Sequence, residues 1–130
     1  MANVIKIALA VALTFCFEAS AYASTDRWLK SFAERPYAGV RGDLITAGFR
    51  PIRFSPASKP DRCWWQEWCD VYPETEYCSS SGLALCSFAF YNRKSKRYLS
   101  VVTYGETRLT VLRVYHLTRD DRFGWHPYAL

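Results

Sequence analysis

Five carboxylates, Asp61, Glu67, Asp70, Glu74 and Glu76, fall within sixteen residues of this 130-residue chain, with Trp64, Trp65 and Trp68 among them. Two facing carboxylates can hydrolyse a glycosidic bond, one as general acid and the other as base or nucleophile. The indole rings would then stack on sugar faces. Such a site needs Glu67, Asp70, Glu74 or Glu76 buried, with a pKa raised to suit proton transfer. Acids in an irregular loop are ordinarily just solvated, so hydrolysis ranks below binding. The only histidines are His116 and His126. His116 falls in a strand-like run, where a half-buried structural role is expected, and His126 sits beside Pro127 in the terminal stretch. No G-x-S-x-G elbow, HExxH pair or phosphate-binding glycine loop occurs. The expectation is a chain with no catalytic residues and no cofactor.

The same segment suits recognition better. Cys63-Trp64-Trp65-Gln66-Glu67-Trp68-Cys69 places three large aromatics in a loop that one disulfide could close. Ordering a loop in advance lowers the entropy lost on binding, and aromatic anchors with a polar rim fit a protein partner. Trp64, Trp65, Trp68 and Glu74 are therefore the candidate binding residues. The competing reading is that these tryptophans only cover the sheet of a small domain. A glycan or small ligand held against them is the alternative function.

The cysteine count bears on compartment. Lys6, an apolar run from Ile7 to Phe17 and the Ala21-Tyr22-Ala23 triplet read as a secretory signal peptide over residues 1–23. The run is too short for a bilayer core, which needs about 20 residues, so no membrane span is expected after cleavage. Cleavage after Ala21 fits the same pattern. Cys16 would leave with the leader, and four cysteines would remain: Cys63, Cys69, Cys78 and Cys86. An even number in a short exported chain reads as two disulfides. Three pairings are open. Cys63–Cys69 with Cys78–Cys86 is favoured, since each closes a short loop, at on the order of 2.5 kcal/mol apiece. The spacings match no usual zinc pattern, and no CxxC redox motif is present.

Formal net charge is +5 at pH 7. The bases are spread out, with only Arg93, Lys94, Lys96 and Arg97 close together. A nucleic-acid surface shows a denser stripe, so nucleic acid is not an expected partner. Attraction to anionic envelope polymers ranks below a simple solvated surface.

The elements that must hold these residues follow from periodicity. Residues 24–35 have helical spacing at Trp28, Leu29 and Phe32. Tyr37, Val40, Leu44 and Ile45 share one face of an amphipathic helix over 37–47, ended by Gly48 and Pro51. Gly39 and Gly42 weaken it and would let a neighbour approach its backbone closely. Residues 49–54 form a short edge strand at most. Residues 55–82 read as a disulfide-pinned excursion with little regular structure. Leu83–Tyr91, Tyr98–Tyr104 and Leu109–Leu117 alternate in polarity and are joined by polar turns, as in an antiparallel meander. The expected fold is α+β: one amphipathic helix packed on a three- to four-stranded antiparallel meander, stapled by disulfides. It would occupy residues 24–118, with a loosely ordered tail at 119–130.

Tyr72-Pro73-Glu74-x3-Cys78-x3-Gly82-Leu83-Ala84-x-Cys86-x-Phe88, followed by Val102-Thr103-Tyr104-Gly105-Glu106, resembles a group of small exported bacterial proteins with no assigned activity. Arg41-x2-Leu44-x3-Gly48-x2-Pro51 is similar to that group's first segment. The resemblance implies a shared Cys78–Cys86 disulfide and a bacterial envelope setting, and brings no catalytic residues. Cys63 and Cys69 look like an addition, which fits their pairing with each other. Glu74 is the one residue of the motif without an evident structural task, and Arg41 or a nearby backbone group is its expected partner. The sequence thus points to a non-enzymatic periplasmic or secreted factor that binds an envelope or secreted protein, with oligomeric state left open.

Overall fold

The computed structural model describes residues 24–54, 67–79 and 82–117. The proposed leader, the tail, Cys63, Trp64, Trp65, Asp61 and His126 lie outside the described residues. The chain divides into two compact units, one ending at Ser31 and the other beginning at Phe32. In the first, residues 24–30 are helical. Ser31 ends that helix, its Oγ donating to the Trp28 carbonyl at 2.6 Å.

The second unit begins its regular structure with helix α1, Tyr37–Thr46. Pro36 precedes it in extended backbone (φ −58°, ψ 133°), where its missing N–H removes one of the donors a helix start leaves unpaired. Tyr37, Val40 and Leu44 are buried, a stripe at i, i+3 and i+7. Ile45, expected on that face, is 39% exposed: the covered stripe is narrow, and a step of one residue turns the side chain about 100° away. The stop is a Schellman arrangement. Gly48 takes φ +92°, the Gly48 N–H reaches the Ile45 carbonyl, and the Phe49 N–H reaches the Leu44 carbonyl, both at 3.0 Å. Gly39 and Gly42 are not points of close packing as expected. Both are exposed, and a Cβ at Gly42 would meet nothing within 4 Å. Gly42→Ala is therefore expected to raise stability by about 0.5–1 kcal/mol, measured by urea unfolding.

Five strands follow: β1 Arg50–Pro51, β2 Thr75–Cys78, β3 Cys86–Asn92, β4 Arg97–Tyr104 and β5 Thr110–Leu117. The fold is α+β as expected, but the described residues hold five strands, because the 55–82 excursion contains β2 and a single-turn helix, α2, at Trp68–Val71. All pairings are antiparallel, in the order β1-β3-β4-β5, with β2 also on β3. β1 and β2 divide one edge of β3 between them: β1 meets Phe90 and Tyr91, while β2 meets Cys86 to Phe88. The handover is at Ala89, whose N–H donates to the Glu74 carbonyl and whose carbonyl accepts from the Ile52 N–H. Cys78 and Cys86 are register partners joined by a disulfide. Cys69 is also disulfide-bonded.

Register puts Cys86, Phe88 and Phe90 of β3 on one face with Leu99, Val101 and Thr103 of β4 and with Val111 and Val114 of β5. All are buried, and together with Tyr37, Val40 and Leu44 they make the core. The segment before α1 is tied to β5: Glu34 N–H to Val111 carbonyl at 2.8 Å, Val111 N–H to Arg35 carbonyl at 2.9 Å, and Tyr37 N–H to Leu109 carbonyl at 3.0 Å. These bonds fix where α1 starts, and so where Tyr37 enters the core.

Candidate functional site

Glu74 is fully buried, and the chain around it explains why a carboxylate is held there. Tyr72-Pro73-Glu74-Thr75 is a tight turn, with Pro73 at its second position. The Thr75 N–H donates to the Tyr72 carbonyl at 3.0 Å, and Thr75 Oγ1 donates to the same carbonyl at 2.7 Å. The Pro73 carbonyl accepts from the Phe54 N–H at 3.2 Å, and the Glu74 carbonyl from the Ala89 N–H at 3.0 Å. The turn thus plugs the gap where β1 gives way to β2. With its backbone fixed on both sides, Glu74 directs its carboxyl toward α1.

Two side chains one helical turn apart receive it. Tyr37 Oη donates to Glu74 Oε1 at 2.9 Å, and Arg41 Nε donates to the same oxygen at 2.5 Å. The i, i+4 spacing places both on one helix face. Glu74 Oε2 is buried with no hydrogen-bond partner among the described residues. Burial raises the Tyr37 hydroxyl well above its ordinary value, and the Glu74 charge and hydrogen bond raise it further. Arg41 is raised too, chiefly by its hydrogen bond to Glu74. The ion pair is lopsided, since Glu74 is sealed while the Arg41 side chain keeps 30% of its exposure. The arginine therefore retains part of its hydration, which softens the desolvation penalty that burdens fully buried pairs.

Above this pair lies an aromatic stack. The Arg41 guanidinium sits 5.8 Å from the Tyr72 ring centroid. Tyr72 stacks on Trp68 at 6.1 Å and meets the edges of Tyr37 (4.9 Å) and Phe88 (5.9 Å). Tyr37 in turn stacks on Phe88 at 4.0 Å. A continuous path thus runs from the sheet, through Tyr37 and Tyr72, to the half-buried Trp68 and Arg41. Val71, at the end of α2, is 58% exposed beside it. The Arg41 Nη groups bond no acceptor among the described residues.

The sequence-derived candidates separate accordingly. Glu74 and Trp68 both touch this assembly, Glu74 from beneath and Trp68 at its outer end. Trp64 and Trp65 lie outside the described residues. Glu67 and Asp70 are exposed and Glu76 is half-buried, so Glu74 alone among the described acids of this segment is buried. His116 is half-buried in β5. Among the described residues, no group of three or more His, Cys, Asp or Glu could hold a metal ion. Reading the sequence alone missed Tyr37 and Tyr72 as site residues. The available signal was Tyr37 four residues before Arg41 on the apolar stripe. Comparisons with protein-family models, curated proteins and solved structures return no match.

Proposed function

We propose that this chain is an exported, disulfide-stabilised protein of the periplasm or the extracellular space that acts by binding another envelope or secreted protein. One observation carries the reading: a Trp68–Tyr72–Arg41 stack, half exposed, is held in place from below by the buried Glu74 carboxylate. Tryptophan, tyrosine and arginine dominate protein-binding hot spots, where large side chains are immobilised before contact. Arg41 is such a side chain, since its Nε is committed to Glu74 and its outer donors remain for a partner. Exposed Val71 extends the patch with apolar surface. The Cys78–Cys86 bond and the bonded Cys69 suit an oxidising compartment, and no described helix is long and apolar enough to cross a membrane.

Val71→Asp tests this, because the residue is exposed and its replacement leaves the core untouched. Tagged protein crosslinked in its native envelope is expected to retain one stoichiometric partner, which Val71→Asp and Trp68→Ala both release at unchanged secondary structure. Recovery of the same proteins by wild type and both variants would sink the reading.

A further inference from the structure

Four exposed bases of the second unit collect at one end of the sheet. The β3–β4 hairpin turn carries Arg93, Lys94 and Lys96, all exposed. Arg50 of β1, also exposed, pairs with Tyr91 at the same end of the sheet. No described carboxylate forms a salt bridge with any of these four cations. The acids lie toward the other end. Glu74 and Glu76 accompany β2, which pairs with the start of β3. Glu106 is in the β4–β5 connection, and Glu34 accepts from Tyr104 Oη at 2.8 Å. Arg93, Lys94 and Lys96 are neighbours in sequence, and the pairing of β1 with β3 adds the distant Arg50 to their pole.

That pole is also built to hold its shape. Asn92 Oδ1 accepts the backbone N–H groups of Lys94 (3.0 Å) and Ser95 (3.1 Å), closing the turn from within. Asn92 Nδ2 donates to the Ala47 carbonyl, which ties the turn to the end of α1. At the base of the hairpin, Tyr91 and Tyr98 face each other across the strands with ring centroids 4.4 Å apart, both half-buried.

We infer that this basic pole docks on a surface of anionic phospholipid headgroups. Three exposed cations on the turn and a fourth beside it on β1 match a smeared field of negative charge better than one discrete anion, which needs convergent donors. Paired tyrosines behind them offer the apolar body and polar tip that suit the headgroup layer. The pole lies apart from the Trp68–Tyr72–Arg41 patch, so a docked molecule keeps that patch available, and the inference stands whether or not the patch binds a protein.

Vesicle sedimentation tests it, with phosphatidylcholine alone against phosphatidylcholine containing phosphatidylglycerol. Binding is expected only with phosphatidylglycerol, and it should fade at high salt as screening shortens. Arg93→Gln and Lys94→Gln should each weaken binding about fivefold, and together about 25-fold, at the usual contribution of a cation near such a surface. Arg108→Gln removes an equal charge from the opposite end of β4 and should change binding little. Three results would overturn the inference: no dependence on phosphatidylglycerol, equal loss from Arg108→Gln, or displacement from vesicles by inorganic polyphosphate at matching charge concentration. The second would mean that net charge alone attracts the protein, and the third that the pole prefers a free polyanion.

Discussion

Arg41→Ala is expected to destabilise the fold by about 3–5 kcal/mol, the usual effect of stripping the partner from a buried charge. The carboxylate would remain sealed beneath α1 with only the Tyr37 hydroxyl bonded to it. Against a typical domain stability of about 5–15 kcal/mol, the loss would be a large fraction. Some water would follow the truncated side chain inward, since Arg41 is partly exposed, and this places the effect toward the lower end of the range. Glu74→Gln should be milder, because its amide oxygen can still accept from Tyr37 and Arg41 while the charge is gone. In the Arg41→Ala background, Glu74→Gln should then recover stability. A double-mutant cycle by urea unfolding checks this, and a coupling under about 0.5 kcal/mol would mean that the two side chains do not depend on each other.

How far the sequence reveals this arrangement depends on the range over which each element is encoded. Strands β3, β4 and β5 are legible because alternation and polar turns are local signals: Phe88, Phe90, Leu99 and Val101 all fall where their periodicity places them. Helix α1 is legible for the same reason, apart from Ile45. β2 is harder to see. Thr75-Glu76-Tyr77-Cys78 follows a proline turn and is only four residues long, and its register shifts between Thr75 and Tyr77. Its existence depends on β3 leaving an open edge beyond the two residues of β1. The Glu74 site is more remote still, since Tyr37 and Arg41 lie 37 and 33 residues away in sequence. A lone glutamate after Tyr-Pro can be singled out as lacking a local task. That it turns inward follows only from the β1–β2 handover at Ala89.

The same handover links the buried pair to the proposed binding patch. The turn that turns Glu74 inward also carries Tyr72, and Tyr72 is the ring on which both Arg41 and Trp68 rest. Loosening Glu74 should therefore be felt at the surface, through Arg41, before it is felt in the sheet. A patch whose arginine is fixed by a buried acid keeps its shape without a partner, at the expense of burying a charge.

Alkaline unfolding gives the second large effect. Burial and the neighbouring Glu74 raise the Tyr37 hydroxyl above its ordinary value near 10, so the folded state holds this proton after the unfolded chain has released it. The unfolded state then binds fewer protons, and stability falls as pH rises. The contribution of Tyr37 is fully present below about pH 10 and is lost above it, at about 1.4 kcal/mol per pH unit for one hydroxyl. By pH 12 that slope amounts to about 2.7 kcal/mol if the folded hydroxyl is still protonated there. Tyr104, raised by its hydrogen bond to Glu34, acts in the same direction but from an exposed position. Tyr37→Phe separates the two, since it removes the buried proton and leaves Tyr104 in place. The variant should be less stable than wild type at pH 7, having lost a donor to Glu74. Its stability should nevertheless fall more gently between pH 10 and 12, so the gap to wild type narrows. Parallel curves from urea unfolding across that interval would show that Tyr37 ionises no later in the folded protein than in the unfolded chain, and would remove the basis for treating it as part of a sealed charge cluster.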